Sequence, residues 1–327
     1  LGFFYVIRTM SPYDPLWYQQ EEYRTKPDRQ IDITLYGAFS VAIVLVALIP
    51  AGWLGWLGPD FQEFVIGVPV QILLAAPLTP LAVPGIIARR HENRIKERDE
   101  EFPGFIRALG ASETAKQSTT TEVLKTLREK DFGVLSRDIE RLYTRLRMRI
   151  EPERAWFYFT AESSSFLIQK FSEMYLMGRQ MGGEPKQLGE LISRNMGEVL
   201  QLRRQRKQAT VTLIGVLYGI TAASAVAFFI GLGVVEVLAE LSNQMDFGGT
   251  ASVDFGQFIY ASAYDIPLIE YLLTLVILYN ALLSSLMIRQ VDGGHKINAY
   301  LHFVLLTWIG CLLAVGTTHL TGALISV

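Results

Sequence analysis

PKQLGELISRNMGEVLQLRRQRKQATVTLIGVLYGITAASAVAFFIGLGVVEVLAE, residues 185–240, decides the architecture. After Pro185 the chain has no proline until Pro267. Leu188, Leu191, Ile192, Val199 and Leu202 repeat at helical spacing and lead through Arg203, Arg204, Arg206 and Lys207 into an apolar run from Thr210 to Leu238. That run is longer than the roughly 20 residues of helix that cross a hydrocarbon core. The pattern predicts a nearly continuous helix from about 185 to 240, roughly 80 Å long at 1.5 Å per residue. One end would be wet and the other embedded in a bilayer. A break at the basic cluster, leaving a flexible joint, is the competing reading, because propensity alone is a weak guide.

Working outward, 24 of the 30 Lys and Arg residues lie between Arg89 and Lys207, whereas Gln30–Ala88 and Gln208–Ile288 contain none. Together with Thr210–Leu238, the apolar stretches Ile33–Leu57, Phe64–Ala88, Ile266–Ile288 and Ala299–Ile325 give five complete membrane spans. Lys and Arg are retained on the cytoplasmic side during insertion. By that rule Arg24, Lys26 and Arg29 place the start inside, and Asp60 and Glu63 place the first hairpin tip outside. Residues 89–208 are then cytosolic, a loop at 241–265 is external, Arg289 and Lys296 mark an inner turn, and the C-terminus is outside. The expected fold is all-α: a polytopic protein of the cytoplasmic membrane with five transmembrane helices and one cytosolic helical bundle. Its segments are 1–30, a juxtamembrane stretch; 31–88, a transmembrane hairpin; 89–208, the bundle; and 209–327, three further spans. Leu1–Ile7 is apolar, ends at Arg8 and lacks an initiator Met, which reads as the inner end of a preceding helix and of a longer protein. Tyr13, Trp17 and Tyr18 suit an interfacial belt.

Within 89–208 the expected helices are Phe102–Ala111 with Pro103 in its first turn, a helix capped by Thr119–Thr121, Val134–Ile150, one restarting at Glu151–Pro152, and one capped by Ser163–Ser165. Arg137, Arg141, Arg145 and Arg149 recur every four residues as one stripe, a candidate docking face for an acidic protein together with juxtamembrane Arg89, Arg90 and Arg94. The alternative is a solvated face paired locally with Asp138 and Glu140. The segment from Arg89 to Gln208 has 24 bases against 18 acids, an excess that also fits anionic lipid. Pro77, Pro80 and Pro84 share one face of the second span and form a candidate hinge, with plain tolerated kinks as the alternative. Gly293 and Gly294 fit a tight inner turn.

Catalytic patterns are missing. No GxxxxGK[ST] string cradles a nucleotide phosphate. The four histidines, His91, His295, His302 and His319, are scattered without HExxH or a cysteine pair, and Cys311 stands alone in the last span. Tyr264–Asp265 lacks the second membrane aspartate of an intramembrane protease. No enzyme activity, cofactor or metal is expected. Glu236, Glu240 and Glu270 lie near outer ends of spans, which disfavours a proton-coupled carrier. Nucleic acid is not expected as a partner, because no recognition fold accompanies the charge.

Five strings carry a resemblance: EFPGFIRALG (101–110), GFFYVIRTMSPYDPLWY (2–18), LIQKFSEMYLMGRQMGGEPKQLGELI (167–192), VTLIGVLYGITAASAVAFFIGL (211–232) and MIRQVDGGHKINAYLHFVLLTWIG (287–310). The chain resembles the type II secretion F superfamily and, within it, the FlaJ (ArlJ) archaellum platform family, over essentially all its length. The resemblance implies an integral-membrane platform for the assembly, and for the rotation, of a type IV pilus-like filament, the archaellum. Its implied partners are a hexameric FlaI-like ATPase, a FlaH-like protein, archaellin or pilin-like subunits, membrane lipid, and a second copy of itself in a homodimer. A further N-terminal half with its own F-type domain is implied upstream. An adhesion-pilus platform is the alternative within the superfamily, and a membrane transporter the alternative outside it.

Overall fold

In the computed structural model, residues 16–17, 26–56, 58–117, 119–244, 266–292 and 297–325 are described; the statements below concern these. They form helices α1 (Lys26–Trp53), α2 (Pro59–Gly67), α3 (Val70–Ala75), α4 (Ala82–Lys116), α5 (Thr120–Leu127), α6 (Ser136–Arg147), α7 (Pro152–Ser163), α8 (Phe166–Gln180), α9 (Pro185–Gln244), α10 (Ile266–Asp292) and α11 (Asn298–Ile325). Short 3-10 segments fill Ala76–Leu81 and Gly133–Leu135. No strand occurs among the described residues; one isolated bridge pairs Trp17 with Ser165. Five helical stretches are long and apolar enough to cross a membrane, and the chain is an all-α polytopic membrane protein.

The chain divides into two compact units. One is built on Ile86–Val211 and is a polar-surfaced bundle. Its core is Phe102, Phe105, Ile106 and Leu109 of α4 against Val123 and Leu124 of α5, Ile139 and Leu142 of α6, Trp156 and Phe159 of α7, Ile168 and Tyr175 of α8, and Ile192 and Met196 of α9. Where α4 meets α9 the backbones come close because glycine faces glycine. A Cβ on Gly110 would collide with the Pro185 carbonyl oxygen, and one on Gly189 would sit 2.7 Å from the Ile106 carbonyl oxygen. Gly182, at φ +84°, makes the turn between α8 and α9 that only glycine enters without strain.

The other unit comprises the described parts of Thr34–Gly85, Thr212–Ile288 and Ala299–Val327. Burial within the chain is 11% for the apolar window of the first span and 44% for that of α11, so α11 is the central helix and α1 the peripheral one. Val304 of α11 packs with Ala38, Ala42 and Leu81; Leu306 packs with Ala281 and Ile288; Ala314 packs with Ala225, Phe229 and Ile277. Glycines again permit the approach. A Cβ on Gly85 would lie 2.9 Å from Leu301, on Gly233 2.9 Å from Thr321, and on Gly310 2.5 Å from Ile277. Small residues at crossings supply packing where lipid removes the hydrophobic drive.

Several expectations change. The second span is not one helix: α2 ends at Gly67, Pro69 separates it from α3, and Pro77 and Pro80 sit in the 3-10 segment. Proline deletes the backbone donors that an α-helix needs. The freed segment is tied down by side chains instead, with the Gln71 amide donating to Glu270 at 2.8 Å and the Trp308 indole to Thr79 at 3.1 Å. Pro84 falls in the first turn of α4, where a missing donor costs little. From there α4 runs on to Lys116, straight through Pro103 rather than starting at it. An internal proline costs about 3 kcal/mol. Four adjacent buried side chains, Phe102, Phe105, Ile106 and Leu109, each return about 1.5–3 kcal/mol and outweigh it. The predicted 134–150 helix is α6, shorter at both ends, because Gly133–Leu135 is 3-10 and Arg149 takes φ +60°. Arg149 therefore lies beyond the helix that was to carry it. By contrast α9 is unbroken for 60 residues, about 90 Å, with no joint at Arg203–Lys207. Leu1–Ile7, most of the 241–265 loop, Tyr264–Asp265, Gly293 and Gly294 lie outside the described residues.

Two glycines on α4 separate the close crossing from helix propensity. Gly104 has nothing within 4 Å of a built Cβ, whereas Gly110 faces the Pro185 carbonyl. Gly104→Ala is expected to raise the bundle's stability by up to about 1 kcal/mol, and Gly110→Val to lower it by about 1–3 kcal/mol. Thermal unfolding followed by circular dichroism in detergent checks both signs.

Candidate functional site: a charged node at the base of the membrane-entering helix

Two adjacent residues of α4, Arg98 and Asp99, reach in different directions and gather four elements. Asp99 is fully buried. One of its oxygens accepts a short hydrogen bond from Ser165 Oγ, and the other receives Arg203 Nη1 of α9 at 2.9 Å. Arg98 Nη1 donates to the carbonyl oxygens of Glu162 (3.3 Å) and Ser163 (2.9 Å), and its Nε lies 3.1 Å from Asp138 Oδ2. Thus α4 grips the α7–α8 corner, α6 and α9 through charge-assisted contacts.

Local sequence explains why the corner is available. Ser164 adopts the left-handed conformation at φ +55° and ends α7, while Ser165 caps α8 by accepting from the Ile168 amide at 3.1 Å. The expected serine caps are therefore present at Ser165, and the same hydroxyl also serves Asp99. Leu16 and Trp17 are tied to this corner: Phe166 N–H donates to Leu16 O at 3.4 Å, and the Trp17 ring stands 6.1 Å from that of His91. Trp17 is half-buried, and Tyr13 and Tyr18, the other two residues of the expected interfacial belt, lie outside the described residues. Thr119–Thr121 behave otherwise than expected: Thr119 occupies the cap position without a side-chain cap bond, and Thr120 donates to Glu113 at 2.7 Å.

The arginine stripe is split by its surroundings. Arg145 makes a bidentate pair with Glu162, at 2.5 and 3.1 Å, and lies over the Tyr158 ring at 5.1 Å. Arg141 sits 3.5 Å from Glu162 and 3.8 Å from Asp138. These two are turned inward onto α7, whereas Arg137 and Arg149 are exposed. The local partners are thus Asp138 and Glu162, not Glu140, which pairs with Arg128 at 3.2 Å. Burial pushes the Asp138 carboxyl above the ordinary aspartate range, against the pull of Arg98 and Arg141. Arg89, Arg90 and Arg94 are exposed on α4. A second cluster joins Glu113 to Tyr175 OH at 3.0 Å and to Arg179 at 3.3 Å, and burial, reinforced by Glu113, raises the Tyr175 hydroxyl.

Nothing in this arrangement resembles a nucleophile with its base, or a cation cage. Among the described residues no group of three or more His, Cys, Asp or Glu is placed to hold a metal. His302 is buried and its Nδ1 is 3.1 Å from Tyr218 OH, a packing role between α9 and α11. What the node can do is mechanical. It fixes the first half of α9 to three other helices through a carboxylate that has no water to fall back on. The Arg98–Asp99 pair was not singled out from sequence, because its partners lie 40 to 104 positions downstream and carry no spacing signal.

Arg145→Ala is expected to lower bundle stability by about 2–3 kcal/mol through loss of the charged hydrogen bonds to Glu162. Arg154→Ala breaks a pair that is mostly exposed on both sides, 3.8 Å from Glu151, and is expected to cost under about 1 kcal/mol. Chemical denaturation in detergent measures the contrast.

Residues 111–234, from the last turns of α4 through most of α9, match the family described as type II secretion system (T2SS), protein F. "Flagella accessory protein J" of Methanocaldococcus jannaschii is 33% identical over 315 residues, covering 94% of this chain and 54% of that protein. The protein of the same description from Methanococcus voltae is 32% identical over 321 residues, covering 98% of this chain and 56% of its own length. No solved structure matches. The chain spans about half the length of these curated relatives; it is similar to them over nearly all of its own length, and its residues 111–234 match the type II secretion F domain.

Proposed function

We propose that this chain is part of the integral-membrane platform on which the archaeal flagellum, a type IV pilus-like filament, is assembled. In this reading, which its basic residues support, the bundle lies in the cytosol and receives a hexameric ATPase with a FlaH-like protein nearby. The membrane helices work at the filament base, where pilin-like subunits leave the bilayer. The observation that carries the proposal is α9: one helix of 60 residues whose first half is pinned by Arg203 to the buried Asp99 and whose second half is apolar. A helix held in that way passes a push on the bundle into the bilayer without a flexible joint. The relatives' description and the F domain support the assignment to a filament platform.

Docking falls to the exposed arginines. Arg137 and Arg149 are exposed, as are Arg89, Arg90 and Arg94, while Arg141 and Arg145 pair with Glu162. Arginine forks suit carboxylates on a motor protein. The 3-10 segment with Pro77 and Pro80, followed by Pro84, is the proposed hinge. A homodimer of this chain meets the sixfold partner.

The test is co-purification of the full-length protein with its ATPase. Replacing Arg89, Arg90, Arg94, Arg137 and Arg149 by Glu is expected to abolish capture while membrane insertion and helical content persist. Undiminished capture at low and moderate salt would contradict the docking assignment. Recovery of a solute flux in liposomes without any partner would favour a transporter instead.

A further inference from the structure

An open cleft of about 130 Å³ lies beside the node, between α4, the basic stretch of α9 and the last residue of α10. Its charged lining is unevenly satisfied. Asp99 is held by Arg203 at 2.9 Å, and Glu100 is paired with Arg204 at 3.2 Å. That leaves Lys96, Arg206 and Lys207, whose side chains have no carboxylate within 4.0 Å among the described residues, facing a single remaining acid, Asp292. Three unmatched cations around one cleft repel each other, and an anion that enters relieves all three at once.

The position of these bases in the chain says which anion. Lys207 precedes by three residues Thr210, the start of the apolar run of α9; Asp292 ends the apolar helix α10; Lys96 follows Ala88, the end of the second span. The cleft is therefore built from residues that emerge from the hydrocarbon into the headgroup layer. Its other walls are Leu16 and Leu200, aliphatic surface beside the charges. A cationic cleft with an aliphatic edge at that level has the chemistry of a lipid headgroup that carries a net negative phosphate. We infer that Lys96, Arg206 and Lys207 form a binding site for the phosphate of an anionic membrane lipid, seated next to the Asp99–Arg203 pair. The lipid then braces the point where α9 leaves the bundle, and the composition of the membrane sets how firmly α9 is held.

The full-length protein in detergent micelles, titrated with phosphatidylglycerol or zwitterionic phosphatidylcholine and read by native mass spectrometry, tests this. Wild type is expected to retain phosphatidylglycerol preferentially, and Lys96→Ala/Arg206→Ala/Lys207→Ala to weaken that binding on the order of a hundredfold. A control of equal charge loss, Lys125→Ala/Lys130→Ala/Arg147→Ala, removes exposed bases elsewhere on the bundle and is expected to change it less than about threefold. Excess orthophosphate separates the sources. Failure to displace the lipid identifies the headgroup as the ligand, and displacement identifies a site for free phosphate of the same chemistry. Equal weakening by both triple variants, or none by the cleft variant, overturns the site. If the triple variant does not insert, the single substitution Lys207→Gln, at an exposed position, is expected to weaken retention severalfold, and unchanged retention overturns the site equally.

Discussion

A carboxylate with no access to water must be met by the protein, and among the groups that meet Asp99 are the Ser165 hydroxyl and the Arg203 guanidinium. Burying such a pair gains little over a pair of apolar residues, but breaking it leaves an uncompensated charge and costs about 3–5 kcal/mol. The consequence is specificity of position more than stability. Helix α4 contributes the charge, the α7–α8 corner a hydroxyl that also caps α8, and α9 the cation. Any displacement of one element exposes the interior charge to an apolar core. The first half of α9 is thereby tied to the bundle at the point where its sequence turns from polar to apolar.

Both units solve close approach in the same way but under different solvents. In the bundle, Gly110 and Gly189 let α4 and α9 touch through their backbones, and aromatic packing of Phe105, Trp156 and Phe159 supplies the apolar gain. In the membrane unit, hydrocarbon surrounds the helices, so contact at Gly85, Gly233 and Gly310 adds dispersion where the hydrophobic effect adds little. The proline-broken segment between α2 and α4 is held by Gln71–Glu270 and Thr79–Trp308, side-chain bonds standing in for lost backbone ones.

Much of the fold was legible in the sequence, because hydropathy and charge record the solvent of each residue directly. The five spans and α9 follow from apolar length, the positions of Lys and Arg, and the proline-free run after Pro185. Legibility failed where tertiary burial overrode a local rule. Pro103 reads as a helix start, yet the four core side chains around it carry α4 through. It failed again where a partner came from a distant helix: Arg141 and Arg145 share a four-residue spacing with Arg137 and Arg149, but only Glu162 of α7 decides which of them turn inward. Asp99 carries no pattern at all. The resemblance was legible from the glycine-containing strings; the node at Arg98 and Asp99 that joins α4 to α6, the α7–α8 corner and α9 required the structure.

The central claim is that the Asp99–Arg203 pair fixes α9 to the bundle, and a double-mutant cycle measures it most directly. The four proteins are wild type, Asp99→Asn, Arg203→Gln and the double substitution, unfolded under one set of detergent conditions. A coupling energy of about 2 kcal/mol or more is expected, within the range of residues sharing one network. Additivity to within about 0.5 kcal/mol would contradict the claim, and α9 would then be held by its other contacts with α4, the Arg204–Glu100 pair and the apolar packing among them.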